Sequence, residues 1–458
     1  MSLAAIILPP ATLAYLAYLA YRFVRPLTLP PVKANLHRSS PKRFRRAKTK
    51  SPLAAIATTA LAVEDRIFTE RRVGFYATGI AAAYVISVAW LLLRHGLAVT
   101  TDGVNCTDFT WIWLSSKLAS SGIVSQIYDY AIFSAARVAL IGPPNCVIEH
   151  FDYPPTLLLF TYPLGLMPYF TAFLAWIAAT LLLYLAAVYA IIPRRAAVIA
   201  AVTSVPVLIN VLLGHNGFLT AGLVGLALAF LERRRPWLAG IFLGLLTYKP
   251  QFGILFPLAL LVSRDWRVIL SAAATGVIFG LAAAIAFGDQ AWPSFIDVLA
   301  ERASSLNSDP ALNLPLVSVL GFLLADGVNA HTAWTVQLTV TVIVALTVGA
   351  CWAQPFSYPL KAATLAIGSV LAAPHAVGYD LCILSIAAAF LVKDGLLRGF
   401  LPGERAVMLI CWVGLIVAIG PIPPIICVVL LALAARRAVV CGRETFVAPG
   451  PILMAIQR

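Results

Sequence analysis

The chain has 458 residues, of which 61% are apolar and 11% are charged, and its mean hydropathy is +0.91. A soluble domain is about 25% charged and must expose much polar surface, so this composition excludes a soluble globular protein. The formal net charge of +14 does not indicate a nucleic-acid partner, because Lys and Arg stand in short clusters beside apolar runs, as in the cytoplasmic loops of membrane proteins.

The apolar runs predict membrane-spanning α-helices. They continue for roughly 15 to 22 residues without the period-two alternation of a transmembrane barrel. In hydrocarbon every backbone amide needs an internal partner, which a helix supplies by itself. We therefore expect an all-α polytopic membrane protein with about eleven to thirteen crossings.

The N-terminal residues 1–62 are ambiguous. An apolar stretch over 3–21 is divided by Pro9 and Pro10, and a basic segment follows it. The stretch is either an extra anchor helix or a leader or mobile extension outside the functional fold. We accordingly divide the chain into this extension, a catalytic core over 63–395, and C-terminal helices and tail over 396–458.

The first well-defined apolar span, about 73–93, is followed by a long polar loop over 94–154. Asp108 opens a helical stretch in this loop and is followed by three aromatic residues. It is either an N-cap or a general base at a membrane-surface cleft, and Asp102 is the alternative base. Cys106 and Cys146 lie in the same loop and would form a disulfide in an oxidising compartment, whereas the other five cysteines lie in or beside apolar helices as packing residues.

The next apolar segment, 155–192, is broken near Pro168 and leaves open whether it crosses the membrane once or twice. Beyond it, three polar motifs interrupt apolar arms: 214–217, 248–251 and 374–380. A polar group at membrane depth costs a few kcal/mol, and one such residue alone is explained by an interhelical hydrogen bond. Because positive-inside topology puts all three motifs on the side of the Asp108 loop, they predict a site there.

Six stretches in this order resemble the bacterial family eighty-seven glycosyltransferases, enzymes of the GT-C fold that include mycobacterial mannosyltransferases using polyprenyl-phosphate mannose. The resemblance covers roughly 70–395 and departs from the family at His215, where many members carry Gln. The stretches are Asp108-Phe-Thr-Trp-Ile-Trp, Tyr128-Asp129, Tyr153-Pro-Pro-Thr-Leu, Gly214-His-Asn-Gly, Gly240…Gly244-Leu-Leu-Thr-Tyr-Lys-Pro-Gln and Pro374-His…Tyr379-Asp380.

The resemblance implies a multi-pass enzyme of the bacterial plasma (inner) membrane whose active site faces the periplasm. It implies a polyprenyl-phosphate sugar donor, most simply a mannose donor, and a lipid or glycolipid acceptor. We expect no nucleic acid and no cofactor, and no metal site, because a monophosphate leaving group needs less help from a metal than a nucleotide diphosphate. By analogy Asp108 is the base of an inverting transfer. The expected donor-binding residues are Lys249, His375, His215, Asn216 and Gln251, and the expected supporting residues are Asp102, Tyr153, Tyr379 and Asp380.

Two other functions fit a membrane protein with polar residues at depth. A transporter or flippase of lipid-linked glycans or small solutes would place its charges near the midplane, with access from both sides. An O-antigen ligase or polymerase would carry a large late external loop with Arg and His, where the loop 288–330 offers Arg302 and adjoins His331. The lack of a Gly-rich phosphate loop, or of an Asp-x-Asp pair beside Asp108, fits a donor without a nucleotide.

Overall fold

The computed structural model describes residues 52–95, 108–122, 124–141, 151–308, 316–417 and 420–441. Asp102, Cys106, Cys146 and residues 1–51 of the expected N-terminal extension lie outside this part. Within it the protein is helical, with short 3-10 turns and one isolated β-bridge between Leu316 and Val377. The predicted all-α polytopic fold is confirmed.

The α-helices, in chain order, are α1 (Pro52–Ile67), α2 (Glu70–His95), α3 (Asp108–Ser120), α4 (Tyr130–Leu140), α5 (Pro155–Gly165), α6 (Tyr169–Ile191), α7 (Arg195–Ala201), α8 (Val205–Leu213), α9 (Gly217–Glu232), α10 (Pro236–Leu245), α11 (Phe256–Ser263), α12 (Trp266–Phe287), α13 (Ala291–Ser308), α14 (Val319–Ala325), α15 (Ala330–Ala353), α16 (Tyr358–Ala372), α17 (Cys382–Arg398), α18 (Glu404–Gly414) and α19 (Ile422–Cys441).

Five described helices, α2, α6, α12, α15 and α19, contain stretches long and apolar enough to cross a membrane, and a sixth span results if α7 and α8, bent by 66°, count as one. The sequence predicts more crossings because it contains many apolar arms. Several of these arms are helices of only 10–17 residues, which are shorter than the roughly 20 residues that a hydrocarbon core of about 30 Å requires.

The segment 155–192 contains one full-length span. Helix α6 has 23 residues, whereas the 11-residue helix α5 is only about 16 Å long. Helix α5 packs against α3, and a Cβ on Gly165 would lie 2.2 Å from the carbonyl oxygen of Ser116. The short helix thus supports the Asp108 helix instead of making a second crossing.

Helices α6, α9, α16 and α17 form the centre of the bundle, where α9 contacts α6 and α17, and α16 contacts α17. Helix α12 lies at its outside. One face of α12 is exposed, with Ile285 at 85%. The opposite face packs on α10, because Gly240 and Gly244 of α10 have no side chains and allow close approach of Ser271 and Thr275 of α12. Small residues four apart are a common helix contact in membranes, where lipid solvates the apolar outer face.

One end of the bundle, the basic end, collects the charged clusters. The buried guanidinium of Arg437 (α19) pairs with Asp394 at 2.7 Å and with Glu404, and Lys393 pairs with Glu232 at 2.7 Å. Glu232 is the last residue of α9, whose first residue, Gly217, lies in the polar motif 214–217. The 16 residues of α9 separate this end from that motif by about 24 Å.

Two expected domain boundaries fall inside helices. Helix α1 runs through residue 62, and its buried Glu64 accepts a hydrogen bond from the backbone N–H of Ala406 at 3.2 Å. Helix α17 runs through residue 395 in the same way. The three-part division remains a prediction from the sequence, and in the described residues both junctions are continuous helix.

Candidate functional site

A buried ion pair lies at the end of the bundle opposite the basic end. The Nζ of Lys249 donates to Oδ1 of Asp380 at 2.7 Å, and the two side chains are 5% and 0% exposed. Lys249 stands between two 3-10 turns, Leu246–Tyr248 and Pro250–Phe252, because Pro250 lacks the N–H that would continue a helix. Asp380 lies in the 3-10 turn before α17, and its Oδ2 accepts the N–H of Val377 at 3.2 Å.

Aromatic rings enclose the ammonium group of Lys249. Its Nζ lies 4.6 Å from the ring centroid of Tyr379, 5.8 Å from that of Tyr153 and 5.7 Å from that of Phe252. The hydroxyls of Tyr153 and Tyr379 are 3.2 Å apart, and Tyr128 donates to the carbonyl of Tyr153 at 3.0 Å. The rings offer cation–π contacts, and the two linked tyrosines form a cover over the ion pair.

The motif 214–217 joins the same cluster through His215. The imidazole ring stacks on the ring of Tyr379, with centroids 3.9 Å apart and planes 20° apart. Two buried side chains, those of Trp176 and Asn210, form hydrogen bonds to the backbone next to His215 and Tyr379. The indole N–H of Trp176 donates to the carbonyl of Gly214 at 3.0 Å, and Asn210 donates to the carbonyl of Tyr379 at 3.0 Å while accepting the N–H of Gly217 at 2.9 Å.

The side-chain amide of Asn216 is buried but, unlike that of Asn210, is not hydrogen-bonded within the described residues. It is 1% exposed, and among the described residues neither its Oδ1 nor its Nδ2 has a hydrogen-bond partner. An unsatisfied buried amide costs about 1–3 kcal/mol, and such groups in native proteins usually mark a site for a polar ligand or for water. This amide could therefore receive a hydroxyl group or a phosphate oxygen.

The first turn of α3 packs against this motif. Gly214 ends α8 in the left-handed conformation, with φ +68°, and a Cβ on it would lie 2.5 Å from Cβ of Phe109 and 2.8 Å from the ring of Phe173. Only glycine fits both the backbone angle and the contact. Asp108 is the first residue of α3 and adjoins Phe109, so its backbone enters the helix beside the 214–217 motif.

The rim of the site is formed by Asp152, Arg302 and His375. The Nε of Arg302 (α13) lies 3.1 Å from Oδ2 of Asp152, which precedes Tyr153 in the chain. His375 lies in the loop 373–377, with its ring 6.0 Å from that of Trp334. Burial lowers the pKa of His375 below its ordinary value, and the positive charge of Arg302 lowers it further, so the ring is neutral at pH 7.

The structure brings together most of the residues that the sequence predicts for the site. His215, Lys249, Tyr153, Tyr379 and Asp380 are joined by the contacts above. Asn216 is adjacent to His215, half-buried Gln251 is two residues beyond Lys249, and His375 is in the loop that leads into the 3-10 turn of Asp380. For Asp108 the structure describes the backbone position, and Asp102 is outside the described residues.

The sequence did not assign four contributors to the site: Asp152 and Asn210, which it did not single out, and Tyr128 and Arg302, which it named only in the family resemblance and in a rival function. Asn210 could have been predicted from the sequence, because it is an amide inside an apolar arm and polar residues there need a hydrogen-bond partner. Arg302 and Asp152 had no such signal, because charged residues are ordinary in loops and surface helices. Their proximity depends on how α13 packs.

The arrangement combines a hydrogen-bonding aromatic cover, cationic groups and an unsatisfied amide at one end of a helix bundle. Such a set suits an anionic ligand with hydroxyl groups and an apolar part. Within the described ranges, no group of three or more His, Cys, Asp or Glu side chains could hold a metal ion.

Comparison with known families gives one match. Residues 151–374 match the model of glycosyltransferase family 87. The matched segment includes Tyr153, His215, Lys249 and Arg302, and Asp108 and Asp380 lie on either side of it. No curated protein and no solved structure matches the chain.

Proposed function

Because this chain belongs to glycosyltransferase family 87 through residues 151–374 and is a membrane glycosyltransferase, we propose that it transfers a hexose from a polyprenyl-phosphate donor. The sugar is most simply mannose, and the acceptor is a hydroxyl of a lipid or glycan. The reaction takes place on the extracytoplasmic face of the bacterial plasma membrane. The observation that carries the proposal is the convergence of Lys249, Asp380, His215 and the start of α3 at the end of the bundle opposite the basic clusters.

The placement of this convergence supports the extracytoplasmic face. Arg194, Arg233, Lys393 and Arg437 lie at the basic end, and clusters of Lys and Arg next to spans are retained on the cytoplasmic side. A donor whose sugar is attached to a lipid reaches the far face with its tail still in the bilayer, and needs no nucleotide pocket there.

We assign Asp108 as the general base. Its carboxylate takes the proton of the acceptor hydroxyl while the hydroxyl oxygen forms a bond to the anomeric carbon. The bond between that carbon and the phosphate oxygen breaks, and its electron pair leaves with the lipid phosphate. One displacement inverts the anomeric centre, and general-base help contributes about 10²–10⁴-fold. The contact between Phe109 and Gly214 supports this role, because it places the first turn of α3 beside His215.

The remaining cluster binds the donor. The transition state has oxocarbenium character while negative charge grows on the departing phosphate, and preorganised donors stabilise such charge in a dry site. Lys249 and His375 contribute as an ammonium and a neutral imidazole, with Gln251 next to Lys249. Asn216 pairs its buried amide with a sugar hydroxyl or a phosphate oxygen. Because the side chain of Lys249 is only 5% exposed, donor binding must move the tyrosine cover, Tyr153 and Tyr379.

The test is a transfer assay. Purified protein in lipid nanodiscs is incubated with labelled polyprenyl-phosphate mannose and candidate lipid acceptors, and the product is identified by mass spectrometry. We expect a mannosylated lipid and free polyprenyl phosphate, with lower donor affinity in Lys249→Ala. Transport of the intact donor across a sealed vesicle without any transfer product would instead establish the flippase function.

A further inference from the structure

The face of α13 that points into the protein carries a cation. Ala291, Phe295, Val298 and Arg302 follow one another at spacings of four, three and four residues, which puts them on one helix face. Val298 is 5% exposed, and the ring of Phe295 lies 6.1 Å from that of Tyr128. Arg302 therefore lies on the helix face that packs towards Tyr128, the residue that binds the backbone of Tyr153.

The cation of Arg302 is held loosely. In the part of the chain that the structure describes, its partner is Asp152, at 3.1 Å from Nε, and the two side chains are 19% and 29% exposed. An ion pair in contact with water contributes little stability. A guanidinium has five N–H donors, and within the described ranges most of those of Arg302 remain available to a second anion. The planar group suits bidentate binding of phosphate.

The other two cationic candidates are less suited to first contact with an anion. The charge of Lys249 is already balanced by Asp380 at 2.7 Å, and aromatic rings enclose it. His375 is neutral at pH 7, partly because Arg302 is nearby. Of these three described residues, Arg302 thus carries the positive charge that is best placed to meet an anion first.

The outer face of α13 fits the level of a lipid headgroup. Ile296 and Leu299 are 58% and 52% exposed, and the acidic residues Asp297 and Glu301 are exposed as well. Helix α13 follows the end of the spanning helix α12 that lies opposite the basic end. A helix at the end of a span that exposes both apolar and charged residues suits the membrane interface, where the apolar side chains contact lipid and the charged ones contact water. The phosphate of a lipid in the same leaflet is found at that depth.

We propose that Arg302 binds the phosphate group of the lipid-linked donor through the N–H groups that its contact with Asp152 leaves available. The assignment rests on the proposed function, since it takes a polyprenyl-phosphate sugar as the donor. Asp152 holds Arg302 in position, and its negative charge next to the phosphate weakens binding of the donor.

The test measures binding instead of turnover. A short-chain polyprenyl monophosphate and the corresponding uncharged polyprenol are titrated into full-length protein in phosphatidylcholine nanodiscs, with inorganic phosphate as a competitor. Wild type is compared with Arg302→Ala, Arg302→Lys, Asp152→Asn and Arg267→Ala. The last variant removes the same charge from an exposed position at the other end of α12, and thermal unfolding of every variant reports on folding.

We expect Arg302→Ala to weaken binding of the polyprenyl monophosphate about tenfold or more, because it removes a charge-assisted bidentate contact. Binding of the polyprenol should not change, so the preference for phosphate is lost. Arg302→Lys should recover part of the affinity as a point charge. Asp152→Asn should tighten binding, because it removes a negative charge next to the phosphate, and Arg267→Ala should match wild type.

Several results would overturn the assignment. Unchanged phosphate affinity in Arg302→Ala, or weaker binding in Asp152→Asn, would make the ion pair a structural clamp. Equal competition by inorganic phosphate would indicate a site for free anions. If wild type binds polyprenyl phosphate through Arg302 but transfers no sugar, the phosphate site stands and the proposed reaction fails. If wild type does not bind the lipid phosphate, both proposals fail.

Discussion

The imidazole ring of His215 stacks on the phenol ring of Tyr379, with centroids 3.9 Å apart. The stack joins the motif 214–217, which precedes α9, to the motif 374–380, which precedes α17. Tyr379 is also one of the two tyrosines that cover Lys249. Three separate interruptions of apolar sequence thereby become one site.

Asp108→Asn should lower sugar transfer by about 10²–10⁴-fold, since the amide cannot take the acceptor proton. Initial rates with polyprenyl-phosphate mannose measure the effect. Asp129→Asn is the matched control, because Asp129 is another aspartate at the start of a helix in the first loop. It accepts the N–H of Ile132 at 3.0 Å and takes no part in the proposed chemistry. Substantial residual turnover in folded Asp108→Asn would assign the base to Asp102 or to another group.

Lys249→Met and Asp380→Asn should each destabilise the protein by about 3–5 kcal/mol, because each leaves its buried partner uncompensated. The double variant should lose less than the sum of the two. Lys393→Met is the control, since its pair with Glu232 is partly exposed and should contribute about 1 kcal/mol or less. Denaturant unfolding measures the series, and strictly additive losses would argue against the ion pair.

Gly214→Ala should disturb the start of α3 and reduce activity strongly. The alanine would clash with Phe109 and Phe173 in addition to the left-handed strain of about 1–2 kcal/mol. Gly327→Ala carries the same backbone strain, with φ +81° and nothing within 4 Å of the added Cβ, so it should lose stability and keep its activity. Similar transfer rates in both variants would show that the contact between Gly214 and Phe109 does not position the site.

Arg302→Gln should raise the pKa of His375, because it removes a nearby positive charge that disfavours the imidazolium form. The pKa should stay below the ordinary value for histidine, since burial is the larger cause of its shift. Titration of isotope-labelled histidines by NMR measures the change, with His375→Gln identifying the signal and Arg267→Gln as the control. An unchanged titration would place Arg302 away from the ring.

Thiol labelling of denatured, unreduced protein tests the expected disulfide. The chain has seven cysteines, and five of them, in the described residues, are free and buried. If Cys106 and Cys146 are bridged, mass spectrometry should find five labels before reduction and seven after it. Seven labels without reduction would exclude the bridge.

Much of the site was predictable from individual motifs. His215, Lys249 and Asp380 stand out because ionisable residues inside apolar arms are costly and need a reason. The all-α fold and the membrane class follow from composition and from the length of the apolar runs in the same way. The number of crossings did not follow, because an apolar arm of 10–17 residues looks like a span in sequence whether or not it is long enough to cross.

The sequence by itself determined that this protein uses the bilayer as its solvent, which residues are unusual there, and the resemblance to its family. Only the tertiary structure decided that Lys249 pairs with Asp380, that Tyr153 and Tyr379 cover the pair, and that Arg302 lies at the rim. The physical reason is that hydrophobic periodicity and caps are local and set the face and end of each helix. Partners 131 residues apart are chosen by how the helices pack, and charge compensation is a property of that packing.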